Sequence, residues 1–260
     1  DTETYNKASK DVAINVLERP VIPAPIINSI SFPLNPVPIG TSITTSMEVT
    51  YLGDLSTLTA EWNWGDGSTS QSQISSSNFE TSHVYNLPGI YTIKLTVTDP
   101  DGRSETKEAP NYVVVYDPQG GFVTGGGWIN SPAGAYVSDK TLAGKATFGF
   151  VSKYEKGATV PTGKTEFQFN LANLNFHSEN YDWLVVTESQ AKYKGTGTIN
   201  GTGNYGFMLS AVDGVVDKFR IKIWEKQSGN TIYDNEMGAG EDSDASTAIS
   251  GGSIIVHKKK

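Results

Sequence analysis

The chain has 260 residues, of which 37% are apolar and 18% charged, with 27 Gly, 12 Pro and 27 aromatic residues; that mix favours many short strands and tight turns over helices. A formal charge of −8 argues against a nucleic-acid partner, because phosphate contacts need clustered Lys and Arg. Cysteine is absent, which excludes disulfides, thiolate metal sites and Cys nucleophiles; the longest apolar runs, Val113-Val114-Val115-Tyr116 and Trp183-Leu184-Val185-Val186, fall far short of the ~20 residues of a membrane span.

The charge is uneven. Residues 1–119 hold 14 acids and 6 bases, residues 120–260 hold 14 of each, and 21 of the 27 glycines follow residue 119. Two composition regimes predict two domains, 20–118 and 119–260, joined at Asp117-Pro118-Gln119-Gly120-Gly121. Asp1 carries no leader pattern and reads as a mature or expression start. Residues 1–19 contain Thr2-Glu3-Thr4 and Val12-Ala13-Ile14-Asn15-Val16, which echo Ser104-Glu105-Thr106 and Val113–Tyr116. The echo predicts the last strand of a preceding copy of the same domain, hence a piece of a longer multi-domain chain. Six prolines between residues 20 and 38 predict a stiff linker into an edge strand.

Residues 24–117 alternate as an antiparallel sandwich does. Ile43–Tyr51 and Leu58–Trp64 are predicted strands, the second closed by Gly65-Asp66-Gly67. Gly89–Thr98 places Tyr91, Ile93, Leu95 and Val97 on one apolar face, and Asp99-Pro100-Asp101-Gly102 is a turn. Tyr112–Tyr116 is the last strand. About seven strands with turns every 8–12 residues is an immunoglobulin-like pattern. Trp62-Asn63-Trp64-Gly65-Asp66-Gly67-Ser68, followed by His83-Val84-Tyr85 and Pro88-Gly89-Ile90-Tyr91, resembles the polycystic-kidney-disease (PKD) domain, with Trp64 where Phe is usual. The resemblance implies a spacer or adhesion module of extracellular proteins, some members of which bind polysaccharide or protein fibres and some calcium. It also places Trp62 in the core and gives His83 a structural hydrogen bond.

Residues 120–260 predict strands at 145–152, 164–170, 181–187, 190–199, 205–212, 218–225, 231–233 and 253–257, hence a second antiparallel sandwich or barrel. The run from Gly125-Gly126-Gly127-Trp128 to Phe219–Trp224 resembles a C-terminal domain of bacterial secreted proteins that follows PKD, HYR or other Ig-like repeats. No activity comes with that resemblance.

Candidate chemistry is sparse. Gly201-x-Gly203-x-x-Gly206 matches a dinucleotide fingerprint in letters, but a strand follows where a helix is needed, so it reads as a hairpin joint. Neither H-E-x-x-H nor G-x-S-x-G occurs. Glu166, Glu179, Asp182 and Glu188 are scattered carboxylates, and no enzyme is expected. Calcium is the one cofactor to consider, since it takes carboxylate and carbonyl oxygens in loops. Its candidate ligands are Asp66, Asp99 and Asp101 in the first domain, and Asp234, Glu236, Asp242 and Asp244 before the last strand. Solvated acidic loops are the plainer reading of both groups. Flat aromatics stack on sugar rings, so Trp128, Tyr181, Trp183 and Trp224 are the candidate ligand platform, with Trp128 the least constrained by periodicity. The expected whole is a secreted or surface-located, non-catalytic binding and spacer module. Its expected partners are an extracellular polysaccharide or protein fibre and the upstream repeats. The alternative is a structural subunit or cap of an extracellular assembly.

Overall fold

The computed structural model describes residues 21–258; the expected repeat remnant in 1–19 lies outside them. The first unit is a sandwich of short strands: β1 (Ile26–Ser31), β2 (Val37–Pro38), β3 (Ser42–Thr50), β4 (Thr59–Asn63), β5 (Thr69–Gln73), β6 (Asn78–Val84), β7 (Gly89–Tyr91), β8 (Lys94–Thr98), β9 (Ser104–Glu108) and β10 (Val113–Tyr116). One sheet runs β1-β3-β6 and the facing one β5-β4-β8-β9, while β10 lies between β2 and β7. The stretch 89–98 was expected as one strand. It divides because β7 pairs with β10 and β8 with β4, so the chain changes sheets at residues 92–93. Strict alternation places Ile43, Met47 and Val49 against Trp62, Leu95 and Val97 in a single core.

The second unit is a nine-stranded antiparallel meander: β11 (Phe122–Ser131), β12 (Gly144–Lys153), β13 (Thr162–Phe169), β14 (Leu174–Val186), β15 (Gln190–Ile199), β16 (Thr202–Val212), β17 (Lys218–Glu225), β18 (Thr231–Asp234) and β19 (Gly251–His257). Order in the sheet follows the chain from β18 back to β11, with β19 added beside β11. The sheet rolls until its ends meet. Val137 N–H donates to Ile232 O at 3.0 Å and Asp234 N–H to Ala135 O at 2.9 Å, so the loop after β11 closes on β18. Rolling brings distant strands face to face inside. Phe148 of β12 stacks on Phe219 of β17 at 4.0 Å, and Phe167 of β13 meets Tyr233 of β18 at 4.7 Å. This aromatic filling is what a small rolled sheet needs in place of a second layer. The strand β11 runs through three glycines and was absent from the expected strands.

Candidate functional site

The PKD-like motif builds a structural lock. Trp62 and Trp64 are both fully buried, and their rings stack at 5.5 Å. His83 also stacks on Trp64, at 4.6 Å. Asp66 Oδ2 lies 2.8 Å from His83 Nε2, and its Oδ1 accepts from the Ser68 N–H at 2.9 Å. Burial pushes the Asp66 carboxyl up, but the bonds from Ser68 and His83 outweigh it and hold the group below the ordinary carboxylate range. Tyr85 donates to Trp64 O at 2.9 Å and stacks on Tyr91. Each residue type in the motif therefore has a packing reason.

The carboxylates expected to converge on calcium are spent on protein donors. Asp99 is buried; its oxygens accept from the N–H groups of Asp101 and Arg103 and from Arg103 Nε at 2.8 Å. Asp101 takes Arg103 Nη2 at 2.6 Å. Asp234 forms a bidentate pair with Arg220 at 3.1 and 2.9 Å, both side chains being buried. Glu236 Oε1 accepts from the Ser246 and Thr247 N–H groups at 2.7 and 2.6 Å, pinning the loop that begins with Asp234. Asp242 meets Thr92 of the first unit at 3.4 Å, and Asp244 takes Lys192 Nζ at 2.8 Å. No group of three or more His, Asp or Glu able to hold a metal occurs among the described residues.

Three of the four expected platform aromatics are also placed otherwise. Tyr181 points into the rolled sheet, where its hydroxyl bonds Thr165 at 2.9 Å and Ser178 at 3.1 Å. Burial drives its pKa up. Trp183 is buried between the two units with Val114, Val185 and Met208, against Ile90, Tyr112 and Trp224. The Trp224 ring lies across Gly206, with Lys194 and Lys222 ammonium groups 5.4 and 5.9 Å from its centroid. Around this apolar patch, Tyr112 donates to Glu241 at 3.3 Å, Lys222 pairs with Glu241 at 2.7 Å, and Tyr116 stacks on Tyr154 at 5.0 Å. Glu241 is pushed up by burial and pulled down further by Lys222, so it is held below the ordinary range. These residues are a domain junction. The junction was not foreseen, yet both longest apolar runs, Val113–Tyr116 and Trp183–Val186, meet there.

Trp128 alone stays on an open face. On β11 the outward row is Phe122, Thr124, Gly126, Trp128 and Asn130, while Val123 and Ile129 point inward. The ring of Trp128 lies across Gly251 of β19, where a Cβ would come within 2.4 Å of Nε1. Lys145 Nζ stands 5.0 Å from the ring centroid. Next along the same face, Gly126 is paired with Gly149, and a Cβ on Gly149 would meet nothing within 4 Å. Glu166 and His177 continue that row, 3.6 Å apart. The result is a shallow floor with an aromatic ledge and hydrogen-bonding side chains beyond it. His177 lies within β14.

The described residues thus form an immunoglobulin-like sandwich packed against a rolled antiparallel sheet. Residues 23–115 are a PKD domain by family match. A 58-residue stretch, 22% of the chain, is 43% identical to part of collagenase ColA of Bacillus cereus, and covers 5% of that enzyme's length. Among solved structures, one from a study of carbohydrate-binding modules of the β-sandwich superfamily aligns with 93% of this chain and 94% of its own, at 16% identity and a TM-score of 0.32. A quinonprotein alcohol dehydrogenase-like protein from Bacteroides thetaiotaomicron aligns with 85% and 75% at 10% identity and a TM-score of 0.23. At those scores neither structure bears on fold or function. No helix among the described residues is long and apolar enough to cross a membrane.

Proposed function

We infer that the chain is a non-catalytic binding and spacer module of a secreted or surface-located protein, and that it holds an extracellular polymer on the outer face of β11 and β12. The observation that carries this reading is the Trp128 ledge beside the Gly126–Gly149 floor, a half-buried aromatic on the outer face of the sheet with room next to it. Sugar rings and extended peptides both seat on such a surface, the former by stacking and the latter by apolar and hydrogen-bonding contact. The similarity of the PKD domain to a segment of a collagenase is consistent with display beside a polymer-degrading unit.

In the second unit, one observation weighs against assembly by strand addition. Strand addition needs a free edge. On the edge strand β19 the N–H groups of Ile254 and Val256 donate to Asp217 and Asp213 at 2.8 and 2.9 Å, and β18 is covered by the loop after β11. The test is co-sedimentation of the chain with insoluble polysaccharides and with fibrillar collagen. Saturable binding lost in Trp128→Ala supports the reading. Binding that persists in that variant, or no binding by a folded chain, overturns it.

A further inference from the structure

We propose that the polymer this face holds is an anionic polysaccharide, which runs along β11 from Trp128 to the cleft beside Phe122. The proposal rests on the binding reading above and specifies its ligand class. Three observations carry it.

The first is charge. The chain as a whole is acidic, at −8. Yet β11–β13, the loop joining β12 to β13, and β19 with the residue after it carry five lysines, at 145, 153, 156, 164 and 258, against two carboxylates, Glu155 and Glu166. Lys145 and Lys153 lie on the outward rows of their strands. Lys153 and Lys164 pair with Glu155 and Glu166 at 2.8 and 3.2 Å, while Lys145 and Lys156 have no carboxylate within 4 Å among the described residues. The contrast with the domain junction is direct. There Lys192, Arg220 and Lys222 each meet a carboxylate of the 234–244 segment. Residues 120–260 hold as many acids as bases, so the excess of five lysines over two carboxylates on the open face is a local one.

The second observation is a cleft of about 520 Å³ at the Phe122 end, bordered by Phe122, Tyr154, Lys153, Lys156 and Lys258. Aromatic rings and ammonium groups on one wall suit a sugar ring that bears a carboxylate or sulfate. Phe122 is held for this by His257, whose ring stacks on it at 4.0 Å and whose Nε2 lies 3.1 Å from Thr124 Oγ1.

The third is continuity. Phe122, Thr124, Gly126 and Trp128 lie on one outward row, so the cleft and the Trp128 ledge are two ends of a single track. Six strand residues span about 20 Å. A lysine stands at each end, Lys145 over Trp128 and Lys153 beside Phe122. That spacing fits a polymer with regularly repeated charge better than a single small anion.

The test uses the full chain with soluble polygalacturonate, chondroitin sulfate and neutral dextran, by affinity electrophoresis and by titration at 50 mM and 1 M NaCl. The expected result is retardation by one or both polyanions and none by dextran, with binding lost at 1 M salt, where the screening length falls to about 3 Å. The two polyanion arms separate carboxylate from sulfate recognition. The triple variant Lys153→Gln/Lys156→Gln/Lys258→Gln should weaken binding about tenfold or more. Lys226→Gln, which removes one charge from the opposite end of the sheet, should not. Binding to dextran that is equal in wild type and triple variant, with no polyanion binding, overturns the anionic assignment but leaves the binding-module reading standing. Polyanion binding that Lys226→Gln weakens by a third or more of the triple variant's loss on a logarithmic scale would show nonspecific attraction and overturn the track. Absence of binding to every polymer overturns both.

Discussion

The buried Arg220–Asp234 pair makes the sharpest mechanical prediction. Arg220 Nε and Nη2 bond the two Asp234 oxygens, and the same guanidinium donates to Gly240 O at 2.6 Å and Ala239 O at 3.1 Å. Asp234 also accepts from the Glu236 N–H at 2.9 Å. One ion pair thus ties β17 and β18 to the loop that delivers Glu241 and Asp242 to the domain junction. Asp234→Ala removes three acceptor contacts and leaves a buried guanidinium with two carbonyls. Breaking one side of such a pair costs about 3–5 kcal/mol, and the two surviving carbonyl bonds place the expectation near the lower end, about 3 kcal/mol. Arg220→Met/Asp234→Leu removes both charges and should recover much of that loss. The assay is urea unfolding followed by tryptophan fluorescence, with near-ultraviolet dichroism as a second probe. A loss below about 1 kcal/mol for Asp234→Ala, or a double variant no more stable than the single one, would refute the view that an uncompensated charge is what the pair prevents.

The remaining expectations concern separate parts of the molecule. Asp66→Asn should destabilise the PKD domain by about 1 kcal/mol at neutral pH. Because the folded carboxyl is held below its ordinary value of 3.8, its contribution is fully present above that pH and fades as pH falls through the lower folded value; acid unfolding of Asp66→Asn should accordingly be shallower than wild type. Gly127→Ala should cost about 2 kcal/mol or more, since a Cβ there would sit 2.1 Å from Gly251 O, whereas Gly149→Ala should leave the thermal midpoint nearly unchanged. Trp183→Ala should cost about 3 kcal/mol by opening the junction core, and should speed proteolysis at 117–121 while leaving polymer binding intact.

Much of the fold is legible in the sequence because its strands obey simple rules. Lys218–Glu225 and Gln190–Ile199 match their predicted bounds, since clean alternation and turn residues mark both. The PKD motif is legible because each of its side chains has one structural task. Two features escaped. Strand β11 is hidden by Gly125-Gly126-Gly127, a poor strand sequence by propensity. Those glycines are needed because a Cβ on Gly125 would strike the Phe150 ring and one on Gly127 the β19 backbone. The domain junction is hidden by a bulge. Tyr181 and Trp183 are two residues apart and should share a face, but the register shifts between them, so Tyr181 points inward and Trp183 outward. The signal that could have revealed the junction is the unbroken run Trp183–Val186. A strand apolar at every position is covered on both faces, here by the rolled sheet on one side and the PKD domain on the other. The acidic loop misled for a related reason. Asp234 and Glu236 read as free oxygen donors until Arg220 and the backbone of Ser246 and Thr247 are brought beside them by folding.

The most direct test of the outer-face account is residue-resolved NMR of the labelled chain during titration with a soluble uronic-acid oligosaccharide, and in parallel with a collagen peptide. The expected result is progressive shift of the Trp128 indole and of the Phe122, Thr124, Gly126 and Gly149 amides with the oligosaccharide, while the Trp183 indole stays in place. Shifts centred on Trp183 and Trp224, or none with either ligand, would contradict it.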